Sequence, residues 1–189
     1  IGEYLAKHAK GQRGILKSAY EKGVPVFVPA FTDSELGLDV ALNNRLREST
    51  GRHKLRFDPF EDLEHFAATL LRQTKLGIFT IGGGVPRNWA QQFGPFCELR
   101  HRRLGENVPL KRYHYGVRIC PEPVHWGGLS GSPYSEAISW GKFVPPAEGG
   151  KFGELFVDAT VGLPLVVAAV LERLGKGKAA GKKKVGARK

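Results

Sequence analysis

The six residues Leu76–Ile81 (LGIFTI) form a short apolar run that stops abruptly at Gly82-Gly83-Gly84. A continuous apolar run of this length reads as a strand buried on both faces, and three glycines after it read as a tight turn out of the sheet. The flanking pattern agrees. Val24–Ala30 (VPVFVPA) reads as a β-rich run before a polar turn at Thr32 and Asp33, Tyr113–Ile119 as an alternating strand, and Glu154–Val157 as a fourth. Between them Asp58 can cap a helix, Pro59 suits its first position, and Glu61 stands where a capping box wants it. Leu63, Phe66, Ala67, Leu70 and Leu71 then share one helical face. Pro133–Trp140 reads as a short helix and Leu163–Leu174 as a closing one, while Gly94–Lys111, polar and Arg-rich, reads as a connection without an element. Strands alternating with helices imply an α/β fold with a mostly parallel sheet covered on both faces, and ligands gather at the carboxyl ends of such strands.

With 189 residues, 41% of them hydrophobic, the chain is long enough for one domain with its own core, expected over residues 1–174. No run reaches the roughly 18 apolar residues that span a bilayer, so no membrane partner is expected. Cys97 and Cys120 are too few for a disulfide framework and lack metal-site spacing, and no metal is expected. With no signal segment at the start, a reducing cytoplasm is the expected compartment. The chain begins at Ile1 and contains no Met, which leads to the expectation that it is part of a longer polypeptide.

The net charge is +11, but eight positive charges and no acid lie between Arg173 and Lys189, leaving +3 for the rest. Residues 175–189 are thus expected to form a disordered basic tail. It is read as a solubilising terminus, with contact to RNA or anionic lipid possible only through charge neutralisation and no specific nucleic-acid partner.

Several groups carry potential chemistry. Gly82, Gly83 and Gly84 let backbone N–H groups approach a phosphate, or they are simply a tight turn. Lys142, ending Ser139-Trp140-Gly141-Lys142, can form an imine if its ammonium is partly deprotonated, which an aromatic wall such as Trp140 would favour; a solvated surface lysine is the commoner fate. Asp33, Asp39, Glu136 and Asp158 would bind a cation or a ribose if gathered in one cleft, and otherwise serve as caps or surface charges. His125 and Trp126 sit in a Gly/Pro-rich loop open to binding or packing roles, and His65 lies on the charged side of its helix.

In order, VPVFVPAFTDSELG, the strand-ending IGGG, EAISWGK, and VDAT before an apolar helix resemble the deoxyhypusine synthase family, including its bacterial relatives, some of which make homospermidine. The resemblance runs from Val24 to the last helix and implies a three-layer, Rossmann-like fold. It implies NAD as cofactor, contacted by Asp33, Gly82–Gly84, Asp158 and Ala159, and a polyamine pocket of Glu136, Trp140, Asp39 and Ser130. Lys142 matches the family's imine-forming lysine. The implied reaction moves the 4-aminobutyl group of spermidine through an enzyme-lysine imine to an acceptor amine, either putrescine or a lysine of a translation factor. A homotetramer, and an N-terminal half preceding Ile1 with further cofactor contacts, are implied as well.

Three positions depart from the family pattern. Asn88 stands where the family has a pocket histidine, Leu129 replaces an acid before Ser130-Gly131, and Leu38 takes the register of an acid that Asp39 follows. These departures weigh against the eukaryotic protein-modifying reaction, and the wording GGGVPRNW (Gly82–Trp89) instead looks like the bacterial branch. The competing reading is a catalytically inactive paralogue serving as an oligomer partner; retention of Lys142, Trp140 and Glu136 together argues against it.

Overall fold

The computed structural model describes residues 1–185, with side chains to residue 175. The chain divides into two compact units, Ile1–Asp62 and Leu63 onward.

The first unit contains helices α1 (Gly2–His8), α2 (Ile15–Glu21) and α3 (Glu35–Ser49), and the first residues of α4 (Pro59–Leu71). Ser34 caps α3, its Oγ accepting from the Gly37 N–H at 3.1 Å, and Asp58 caps α4 by accepting from the Phe60 N–H at 2.9 Å. The strand expected at Val24–Ala30 is not formed: the segment is irregular, and Val24, Val26 and Val28 are exposed. Pro25 and Pro29 remove two ladder donors from a run of seven, and β-branched composition alone does not replace them.

The second unit is a parallel three-stranded sheet, β1 (Leu76–Ile81), β2 (Tyr113–Ile119) and β3 (Lys151–Leu155), in the order β1-β2-β3. β1 and β2 occupy the predicted bounds; β3 begins three residues before the expected fourth strand. The crossovers are α5 (Gly84–Gln91) with α6 (Phe93–Leu104), and α7 (Tyr134–Ser139). The last helix, α8, runs Ala159–Val185 and begins four residues before the expected Leu163. The basic tail expected from residue 175 falls on this helix as far as Val185, and residues 186–189 lie outside the described set.

Helices flank both faces of the sheet, but β1 and β2 are not buried on both: Phe79, Ile81, Tyr115 and Val117 are exposed on the second face. On one face the Tyr134 ring of α7 lies over Gly116 of β2, where a Cβ would come within 2.6 Å of it. On the other, Gly162 of α8 seats against Ile119 and Leu155, which are register partners. The core gathers Ala67 of α4, Phe93 and Cys97 of α6, Leu76, Tyr113, Tyr134, Ala137 and Phe143. The second unit is thus an α/β, Rossmann-like fold. Residues 94–111, read as having no element, contain most of α6. Gly94 and Pro95 fall in its first turn, where proline needs no partner, and a Cβ at Gly94 would meet the Gly141 carbonyl oxygen at 2.8 Å.

Candidate active site around Lys142

The end of α7 fixes Lys142. Trp140 closes the helix, Gly141 follows with φ +70, and two bonds complete a Schellman turn: Gly141 N–H to the Ile138 carbonyl at 2.9 Å and Lys142 N–H to the Ala137 carbonyl at 3.0 Å. The Lys142 carbonyl then accepts from the Tyr113 N–H at 3.0 Å, tying the main chain to the start of β2. From this anchor the side chain reaches α5, where Nζ donates to Asn88 Oδ1 at 2.9 Å. Burial holds the Lys142 ammonium below its ordinary range; the Arg87 charge pushes the same way and Glu136 opposes both. The arrangement favours a lysine with a larger neutral fraction than a solvated one has, which is what nucleophilic amine chemistry requires.

The loop between β2 and α7 is held by two buried arginines. Arg87 donates to the carbonyl oxygens of Leu129 at 2.9 Å and Ser132 at 2.8 Å. Arg118, 1% exposed, donates to the carbonyls of Ser130 at 2.7 Å and Ser132 at 3.0 Å and pairs with Glu154 at 2.7 Å. Burial and the neighbouring Arg118 lower the Arg87 pKa. Two carboxylates border the same loop: Ser132 Oγ donates to Glu136 at 2.9 Å, and Ser130 Oγ donates to Glu122.

The glycine turn meets this loop directly. Gly82 and Gly83 adopt φ +60 and +53, conformations that L side chains resist, and a Cβ on Gly84 would stand 2.8 Å from Leu129 Cβ and 3.0 Å from the Ser130 nitrogen. A cavity of about 230 Å³ opens beside it, lined by Ile78–Gly83, Pro86, Arg87 and Ala90. Asp158, near the start of α8, accepts from the Thr160 N–H at 2.8 Å and hydroxyl at 2.6 Å; these bonds hold its carboxyl below the usual range. Ala159 is the first residue of α8.

Sequence-predicted groups are therefore placed as follows. Lys142, Glu136, Ser130 and Gly82–Gly84 belong to one connected region of the second unit, with Asp158 and Ala159 beyond the carboxyl end of β3. Asp33 and Asp39 lie exposed in the first unit, Asp33 in a short 3₁₀ turn and Asp39 on α3. Asp33 does not follow a strand, because Val24–Ala30 forms none. Trp140 is 65% exposed, so the buried aromatic wall expected beside the lysine is not formed; Ala137 and Ile138 take the inward positions of α7 instead. Trp126 and His125 are exposed in the loop.

The sequence reading missed Arg87, Arg118 and Glu122, and it gave Asn88 no contact with Lys142. A carboxylate beside Ser130 is supplied by Glu122 although Leu129 has replaced the one expected from sequence. The only hint was position: Glu122 opens the same Pro-rich loop. Both cysteines are buried free thiols, and burial raises the Cys97 pKa. Among the described residues no cluster of metal-ligating side chains is present, and no helix is long and apolar enough to cross a membrane.

Comparisons with known proteins bear on most of the chain. "Probable deoxyhypusine synthase 2" of Methanosarcina acetivorans is 33% identical over 173 residues, covering 92% of this chain and 46% of the relative. "Deoxyhypusine synthase-like protein" of Chlorobaculum tepidum is 35% identical over 167 residues, 88% of this chain and 44% of the relative. "Probable deoxyhypusine synthase 1" of Archaeoglobus fulgidus is 32% identical, with 91% and 49% covered. The chain spans a little under half the length of these relatives. The deoxyhypusine synthase family model matches residues 1–170, across both units, and the chain belongs to that family.

Proposed function

We propose that this chain carries the imine-forming half of an NAD-dependent aminobutyl transfer from spermidine to an acceptor amine. The observation that carries the reading is the Lys142 amine: anchored through a Schellman turn, bonded to Asn88 at 2.9 Å, and depressed in pKa by burial and by Arg87. A depressed lysine with a fixed main chain is suited to exchange with an imine carbon.

The glycine turn fits the cofactor. The Gly82 N–H is taken by the Ile119 carbonyl at 2.8 Å, which leaves Gly83, in the positive-φ region, and the start of α5 to offer N–H groups to a pyrophosphate, with an adjoining cavity of about 230 Å³. Asp158 keeps a carboxylate at the start of α8 for a ribose hydroxyl, and Asp33 of the first unit is a further candidate. When bound, NAD supplies a hydride acceptor and donor.

The protein groups do the rest. Glu136 and Glu122 present carboxylates to polyamine ammonium groups, Ser130 and Ser132 orient those carboxylates, and the exposed Trp140 ring is available to cover a methylene stretch. Asp39 is a further cation-binding candidate. The neutral Lys142 amine adds to the imine carbon of the oxidised polyamine. A C–N bond forms to Nζ, the old C–N bond breaks, and 1,3-diaminopropane leaves with the transferred proton. An acceptor amine then displaces Nζ in the same way. The displaced product is still an imine; once reduced by the hydride that the cofactor would return, it would be homospermidine with putrescine as acceptor and deoxyhypusine with a translation-factor lysine.

Incubating the full-length protein with spermidine and NAD, followed by borohydride, tests this reading. The expected result is an aminobutyl adduct on Lys142, lost in Lys142→Arg; no adduct would leave the inactive-paralogue reading in its place. The acceptor is identified by product mass with putrescine or the protein lysine supplied.

A further inference from the structure

Asn88 stands in the second turn of α5, on a backbone held from both sides. Its neighbour Arg87, 4% exposed, is fixed to the carbonyls of Leu129 and Ser132, and its other neighbour Trp89 packs on Phe66 with ring centroids 4.9 Å apart. Asn88 itself is half-buried, and its Oδ1 takes the hydrogen bond from Lys142 Nζ at 2.9 Å. Two fixed anchors thus meet through one polar contact. On one side is the clamped turn of α5; on the other is a lysine whose main chain is tied to α7 and β2.

We propose that Asn88 is the positioning residue of the Lys142 amine, holding one N–H through a neutral amide oxygen so that the nitrogen lone pair is presented to an incoming carbon. The proposal rests on Lys142 being the imine-forming residue. Its physical content lies in the choice of acceptor. An amide oxygen accepts from –NH₂ as well as, more strongly, from –NH₃⁺, and it carries no net charge, so the contact survives the deprotonation that makes the lysine nucleophilic. A carboxylate in the same place would favour the ammonium and raise its pKa by about 1–3 units. An apolar side chain would leave a flexible four-carbon amine unrestrained, forfeiting the orientation that makes attack efficient. The charged groups around the amine are Arg87 of α5, Glu136 of α7 and, beside Gly141, Glu98 of α6, whose Oε2 lies 3.8 Å from where a Gly141 Cβ would stand. Arg87 and Glu136 oppose one another, so a neutral partner at 88 leaves burial to set the protonation of the lysine.

The test needs no turnover. The full-length protein is treated with butanal and cyanoborohydride across a pH series, and alkylation of Lys142 is quantified by peptide mass in wild type, Asn88→Asp and Asn88→Leu. Asn88→Asp is nearly isosteric, which guards against a folding defect, and melting temperatures are recorded alongside. The expected result is that Asn88→Asp moves the pH midpoint of alkylation upward by about 1 unit or more. Asn88→Leu leaves no upward shift but lowers the high-pH plateau by about tenfold. The Asn88→Asp shift checks that position 88 faces the amine; a purely structural role of the asparagine predicts an Asn88→Leu plateau no lower than its melting temperature accounts for. If Asn88→Leu keeps the wild-type plateau, or Asn88→Asp the wild-type midpoint, the assignment is overturned. If they respond as expected while spermidine with NAD gives wild type no trapped adduct, the positioning role stands and the aminobutyl reading falls.

Discussion

A 2.8 Å hydrogen bond runs from the Arg87 guanidinium to the Ser132 carbonyl, joining the helix after β1 to the loop before α7 across 45 residues of sequence. Arg87 therefore serves two ends at once: it holds the loop that carries Ser130 and Ser132, and its charge adds to burial in lowering the Lys142 pKa. Arg87→Met should cost about 1–3 kcal/mol, since the Leu129 and Ser132 carbonyls lose a charged donor. It should also move the pH midpoint of Lys142 alkylation upward, because a like charge that lowers the lysine pKa is gone. Thermal melts and the butanal series check the two arms; an unmoved midpoint would show that Arg87 is a loop clamp alone.

Lys142 is expected to work against stability near neutral pH. Its folded pKa lies below the ordinary 10.5, so between those two values the unfolded chain binds more protons than the folded one. Stability therefore rises with pH through that window; the penalty is fullest below the folded pKa and gone above the ordinary one. Relative to Lys142→Met, the wild type should gain stability between about pH 7 and about pH 10. Urea unfolding of both proteins at the two pH values measures it. A difference that is flat, or that falls with pH, would contradict the depressed lysine.

Much of the second unit was legible because its signals are local. An apolar run with glycines behind it marks β1, alternation marks β2, and, just before the unit begins, Asp58-Pro59 marks the start of the helix α4 that enters it. Val24–Ala30 misled because composition spoke for a strand while its prolines spoke against the ladder. α6 was hidden by Gly94 and Pro95, whose presence answers to the Gly141 carbonyl and to a helix start rather than to a loop. The site divides in the same way. Lys142, Glu136 and the three glycines stand in recognisable local strings. The Lys142–Asn88 bond spans 54 residues and leaves no trace in any window. Arg87 and Arg118 were passed over because a charged side chain in sequence reads as solvent-facing, and only the fold reveals carbonyl oxygens waiting for them.

Gly116→Ala probes the packing beneath the site. Its Cβ would fall 2.6 Å from the Tyr134 ring, which is stacked on Phe152 at 4.7 Å and packed edge-on to Phe143 at 5.0 Å. Burial has pushed the Tyr134 phenol up to about 12, so it is a neutral group with no charge to gain by moving. Overpacking of this kind costs about 1–3 kcal/mol. Because Tyr134 begins α7, the helix that ends at Lys142, alkylation of Lys142 should fall as well. A melt unchanged from wild type would mean that the ring repacks freely.

Gly141 separates conformation from crowding. A Cβ there meets no atom closer than Glu98 Oε2 at 3.8 Å, so space is not the obstacle, but φ +70 is. Gly141→Ala should cost about 1–2 kcal/mol from the left-handed conformation alone. Gly141→Asn should cost less, since asparagine is the other residue that closes helices in this conformation. If the Schellman turn is what aims Lys142, a chain that escapes the strain must give up the bond from Lys142 N–H to the Ala137 carbonyl, and the amine leaves Asn88 with it. Capture of butanal by Lys142 should then fall further in the alanine variant than the melting temperature alone accounts for, with the asparagine variant close to wild type. Equal capture in all three proteins would show that the lysine finds its place without the turn.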